Sequence, residues 1–183
     1  MDAPHPQPAR RRISLDAASY IRKQFATIYR VEDGITGDLT DEELNWAPPG
    51  TANTIAATLI HAISSEDGFI QRILQGKEDV WTAGQWEDKI GLKTRPGKGQ
   101  GWEEVKNGHF SVAAILAYSE AVRSATYGYL ETLTPDELDR PVNFYGNQWT
   151  VADVLALLAE HTAHHAGEIA ALKGAQGAKG MPI

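Results

Sequence analysis

The nine residues Glu160-His161-Thr162-Ala163-His164-His165-Ala166-Gly167-Glu168 hold three of the chain's six histidines and two carboxylates. On an α-helix, residues four apart lie about 40° apart around the axis and roughly 6 Å apart along it. His161 and His165 can therefore both reach one ion at about 2.0–2.1 Å. The zinc-protease helix motif uses the same pair but needs a Glu directly after the first histidine, and Thr162 stands there. A peptidase base is missing, so that chemistry is excluded. An accidental surface pair is the competing reading. The Ala/Leu-rich surroundings predict a largely buried helix, where unpaired imidazoles would be costly, and a shared ion accounts for them better.

His61 sits among apolar residues in an earlier helical stretch and could be a satisfied core histidine. Three histidines facing one interior favour a site over three separate accidents. His164, next to His165, points about 100° away and reads as a backing or surface residue. Glu168 shares the face of His165 and could orient that ligand, accept a proton, or meet solvent. Glu66 is offset from His61 by about 140° and reads as interfacial. His5 and His109 have no partner at useful spacing. No Glu is followed three residues later by His, so the paired Glu-x-x-His motif of di-iron carboxylate bundles is absent. An oxygen-carrying hemerythrin-like site would need histidines on more helices.

Four long helices must carry these residues. Ser14 opens the first, with Ile21, Phe25, Ile28 and Tyr29 on one face and Gly34 and Gly37 ending it. The second starts near Asn53 or Thr54, holds His61, and runs to Gly76. The third is predicted over 105–133, with Val112, Ile115, Leu116, Val122 and Leu130 as core, weakened early by Gly108. Thr150 caps the fourth, which continues to Lys173 before Gly174; the tail beyond is Gly-rich and predicted to be extended. Two segments echo each other: Leu39-Thr-Asp-Glu-Glu-Leu44 and Leu133-Thr-Pro-Asp-Glu-Leu138. Each follows a long helix, carries a capping-box pattern, and precedes a break (Pro48-Pro49-Gly50 in one half, Pro141 to Asn147 in the other) and a Thr-initiated histidine helix. The expected fold is all-α, a four-helix bundle with one long crossover between helices 2 and 3. The crossover, Gly76 to Trp102, holds three tryptophans and no sustained period. Segments of that kind are often lids or binding loops, and Trp81 and Trp86 are the expected substrate wall. Residues 1–13 are expected to form a flexible arm, with Arg10–Arg12 as a solvated cluster, and residues 14–183 a single domain.

Composition narrows the chemistry. There is no cysteine, which removes disulfides, iron–sulfur clusters, thiolate zinc sites and a protein thiol nucleophile. A metal site must use histidine, carboxylate and water, which suits zinc, nickel or iron. A net charge of −7 argues against nucleic-acid binding, where a basic footprint supplies most of the affinity. No apolar run approaches the roughly 20 residues of a membrane span. The opening MDAPHPQPARRR has no apolar core of a signal peptide, so a cytoplasmic location is expected.

Trp46-Ala-Pro-Pro-Gly-Thr-Ala-Asn-Thr-Ile55 leading into Leu59-Ile60-His61, His161-x-x-x-His165-x-Gly-Glu-Ile169, and the closing Gly-Ala-Gln-Gly-Ala-Lys-Gly stretch together resemble the DinB-like (DinB/YfiT) family of metal-binding four-helix proteins. The resemblance covers most of the chain from about residue 14. It implies a divalent metal, zinc or nickel foremost and iron next, held by His61, His161 and His165. Where this chain has Glu168 the family often has Gln, which adds a carboxylate near the metal face. The resemblance further implies a low-molecular-weight thiol such as bacillithiol or mycothiol as cosubstrate, an electrophile as second substrate, and S-transferase or isomerase chemistry in a homodimer. Three neutral imidazoles also suit two other functions: a non-catalytic metal or small-ligand binding protein of a stress response, and a hydrolase using bound hydroxide with Glu168 as base. A purely structural ion fits less well, because structural zinc usually has four protein ligands.

Overall fold

A computed structural model describes residues 16–181. The expectations for the arm 1–13, for Arg10–Arg12, for His5 and for helix initiation at Ser14 lie outside the described residues. The chain is mostly helical, with one small two-stranded sheet among the described residues.

Helix α1 is Ala17–Thr36, capped by the Asp16 carboxylate on the Ser19 N–H. It buries Phe25, Tyr29 and Ile35 and runs through Gly34, stopping only at Gly37. Helix α2, Asp41–Asn45, carries the full Thr40/Glu43 capping box. Helix α3, Ile55–Asp67, starts at Thr54 as the sequence indicates. It then widens into a π-helical stretch, Gly68–Leu74, a form concentrated near functional sites. Glu66 and Asp67, adjacent at that transition, are both buried and engage different partners. Glu66 accepts from Tyr29 and Thr126, and Asp67 accepts from Tyr118 and from the N–H groups of Val80 and Trp81.

The crossover is structured. It contains helices α4 (Val80–Ala83), α5 (Trp86–Ile90) and α6 (Trp102–Asn107), pinned by buried Trp81, Ile90, Leu92 and Val105. The single helix expected over 105–133 is two: α6, and α7 from Val112 to Leu130. Gly108 is extended between them, and the Phe110 ring occupies the place a Cβ would take, 2.4 Å away. Helix α8, Pro135–Asp139, keeps only half of the expected capping box. Thr134 caps the Glu137 N–H, while the Glu137 carboxylate turns to Tyr129 and Arg140.

The expected break at 141–147 is instead a β-hairpin, β1 (Pro141–Phe144) against β2 (Asn147–Thr150), antiparallel. Tyr145 and Gly146 both have positive φ, 52° and 87°, the backbone of a two-residue type I′ turn. Tyr-Gly is a weaker signal for that turn than Asn-Gly, and each strand has only four residues. Helix α9, Val151–Ala175, extends slightly past Gly174.

Helix α1 packs on α7 and α9, and α3 packs on the same two. The α3–α9 pairing is the most extensive, helped by buried Ala56, Ala57, Ala166 and Ala170. Small side chains there let the two backbones approach closely. The interior divides into two clusters. One gathers Ile60, Leu92, Ile115, Tyr118 and Ala166; the other gathers Phe25, Ile70, Leu130, Val154 and Leu158.

Candidate metal centre

His61 projects from α3, and His161 and His165 from α9, across that close pairing. His161 Nε2 lies 3.2 Å from His61 Nε2 and 3.2 Å from His165 Nε2, and one ligand atom from each histidine lies within 4.8 Å of the other two. Nitrogens at 3.2 Å on the edge of a tetrahedron place its centre about 2.0 Å from each, the length of a zinc–imidazole bond.

The outward-facing nitrogens show why Nε2 is the inward atom. His61 Nδ1–H donates to the Pro96 carbonyl at 3.0 Å, and His165 Nδ1–H donates to Glu168 at 2.9 Å. Each bond fixes the proton on Nδ1 and leaves an Nε2 lone pair aimed inward, the usual outer support of a metal-bound histidine. His161 Nδ1 is buried without a partner. Lone pairs converging at this distance repel unless a cation or protons lie between them. A neutral His161 can place at most one proton between itself and its two neighbours, and a second is disfavoured: burial first, then the neighbouring imidazoles, pushes the His161 pKa down to about 4. Burial also lowers that of His61, against the opposing pull of the Pro96 carbonyl. The donor set therefore fits a divalent ion with nitrogen affinity.

Glu168 backs the cluster. Its carboxylate holds the His165 nitrogen that faces away from the other two histidines, and it also accepts from Thr58 at 3.3 Å. His164 is exposed, 3.9 Å from Glu160 on the surface of α9. Glu66 is buried between α1 and α7, and His109 is exposed.

One side of the cluster opens on a cavity of about 810 Å³, whose walls include His61, His161, Phe69, Arg72, Arg95 and Tyr145. The crossover contributes Lys93 to Lys98 and Gln100 to this wall. Trp81 and Trp86 pack on Tyr118, with ring centroids 5.2 and 5.4 Å away, and neither is among the cavity-lining residues. Trp102 reaches the centre instead, its ring 5.0 Å from that of His61. The Pro96 carbonyl and the basic residues of this loop are the contributions that sequence reasoning missed. Arg95-Pro96-Gly97-Lys98-Gly99 is a turn signal studded with cations, and that pattern could have marked it.

The family model described as the DinB superfamily matches residues 24–169. Among solved structures, a conserved protein from Enterococcus faecalis superposes with a TM-score of 0.73 at 16% identity, covering 87% of this chain and 96% of its own. A DinB-like protein from Bacillus cereus ATCC 10987 gives a TM-score of 0.57 at 18% identity, covering 87% and 93%. No curated protein matches the chain. Among the described residues no helix is long and apolar enough to cross a membrane. With its family match spanning both histidine helices, the chain belongs to the DinB superfamily.

Proposed function

We propose that α1, α3, α7 and α9 form a four-helix bundle that binds a divalent metal ion, zinc or nickel foremost and iron next, through His61, His161 and His165. The site would serve a thiol-using transferase or isomerase. The observation that carries this reading is the convergence of three imidazoles beside an open cavity, with His161 Nε2 3.2 Å from the Nε2 of each of the other two and one ligand atom of each within 4.8 Å of the others. When bound, such an ion supplies the positive charge that keeps a low-molecular-weight thiol ionised at neutral pH. With no cysteine in the chain, the nucleophilic sulfur has to arrive with a cosubstrate. The protein's part is then to hold and aim. Pro96 and Glu168 fix the tautomers of His61 and His165, and the cavity seats the electrophile within reach. Glu168 acts in this scheme as a positioning residue rather than as a base, because its carboxylate is spent on Nδ1 and Thr58.

Elemental analysis of untagged protein tests the first step, with near-stoichiometric zinc, nickel or iron expected and loss of that metal in His161→Gln. Addition of a panel of biological thiols to an activated aryl chloride tests the second. Metal-loaded protein that accelerates none of them would leave a non-catalytic metal-binding protein as the better reading. A homodimer and a cytoplasmic location form part of the same proposal, and sedimentation equilibrium tests the former.

A further inference from the structure

Charge is distributed unevenly around the cavity. The chain carries −7 overall, yet the charged side chains lining the cavity are Arg72, Lys93, Arg95 and Lys98, without a carboxylate among the described lining residues. Two of the four cations are balanced from behind. Arg95 Nη2 donates to Asp79 at 2.8 Å, and its Nη1 lies 3.6 Å from Asp67. Arg72 Nε lies 3.4 Å from Asp79. Those two carboxylates are buried and offset the two guanidinium groups.

Lys93 and Lys98 have no carboxylate within salt-bridge distance among the described residues. The nearby Glu104 is occupied by the backbone N–H groups of Lys93 and Thr94, at 2.8 and 3.1 Å. Lys98 is also placed with care. Gly97 and Gln100 exchange two backbone hydrogen bonds of 3.0 and 2.9 Å, which puts Lys98 at the tip of a tight turn with φ at 42°. From there its ammonium sits 3.2 Å from the centre of the Tyr145 ring on the opposite wall. The same loop gives its Pro96 carbonyl to His61. One stretch of backbone therefore sets a cluster histidine and presents two unneutralised ammonium groups to the adjoining space.

We propose that this cavity is a subsite for an anionic group, carboxylate or phosphate, on the small molecule that reacts at the histidine cluster, with Lys93 and Lys98 as the recognising charges. The link to reaction rests on the function proposed above; the anion subsite itself needs no ion. An anion here would neutralise the surplus charge and anchor one end of the ligand, leaving its other end against His61 and His161. Such recognition weakens with added salt, because the lysines are solvent-facing and screened over about 8–10 Å.

Isothermal titration of metal-free protein with succinate, with inorganic phosphate and with the neutral analogue succinamide tests this directly. At least one anion is expected to bind, more weakly as KCl is raised, and succinamide is expected not to bind. The stronger of the two identifies which anion the site prefers. Lys93→Met/Lys98→Met should weaken that binding by about tenfold or more, while Lys23→Met, on the exposed face of α1 and outside the cavity lining, should leave it intact. Should the double variant fold poorly, protection of Lys98 from acetylation by the bound anion in wild-type protein is the substitute measurement. Succinamide binding as tightly as succinate, no anion binding at millimolar concentrations, or no effect of the lysine substitutions would overturn the proposal. Failure to take up metal with anion binding intact would count only against the metal-centred function.

Discussion

Lowering the pH of metal-free protein should reveal how strongly the buried histidine cluster resists protonation. In the folded state the pKa of His161 is pushed from 6.5 to about 4 by burial and by its neighbours. Between those values the unfolded chain binds a proton that the folded chain refuses. The folded state is therefore fully favoured above pH 6.5 and loses this contribution as pH falls to about 4. At 1.36 kcal/mol per pH unit the ceiling is about 3 kcal/mol, and solvent reaching the half-buried ring reduces it to roughly 1–2 kcal/mol. His61, also lowered, adds in the same direction. Buried Glu66 and Asp67 have raised pKa values and act oppositely, taking up protons as the folded state is acidified. The raw wild-type curve mixes these contributions, so the informative quantity is the difference from His161→Gln. Urea denaturation in excess chelator at several pH values between 7 and 4.5 should show wild type losing about 1–2 kcal/mol relative to the variant. A difference constant across that window, or a His161 proton resonance titrating near 6.5, would refute the geometry of convergent Nε2 atoms.

Glu168→Gln keeps the shape but weakens the support of His165, and should lower zinc affinity about 10- to 100-fold by competition with a chromogenic chelator. Tyr29→Phe removes one of the two hydroxyl partners of buried Glu66 and should cost about 1–3 kcal/mol by urea denaturation, with metal uptake unchanged. Gly108→Ala drives a methyl into the Phe110 ring and should cost about 1–3 kcal/mol, read as a drop in melting temperature.

Much of the histidine cluster was legible because helical spacing is arithmetic. His161 and His165 share a face whatever surrounds them, and an apolar helix around His61 left few ways to satisfy that ring. The capping residues Thr40, Thr54 and Thr150 likewise announced helix starts through local hydrogen bonding. What stayed hidden was set by contacts distant in sequence. The break between α6 and α7 depends on where the Phe110 ring lies, and Glu137 abandons its cap for Tyr129 and Arg140. The hairpin's short strands carry too few residues for a period to show. The tryptophans drew attention as apolar area, yet Trp81 and Trp86 were claimed by Tyr118. The cavity wall went to a Pro-Gly turn, whose contribution to His61 is a backbone carbonyl that no side-chain pattern reveals.

The division of the interior into two apolar clusters has a consequence for how the protein melts. His165 precedes Ala166 of one cluster, while His161 follows Leu158 and Ala159 of the other. Helices α1, α7 and α9 each run through both clusters, and an ion shared by His61 and the α9 histidines would add a cross-link between α3 and α9 at the junction of the two. Chelated protein should then show the two clusters opening at different free energies in native-state hydrogen exchange, and ion-loaded protein should show them exchanging as one cooperative unit.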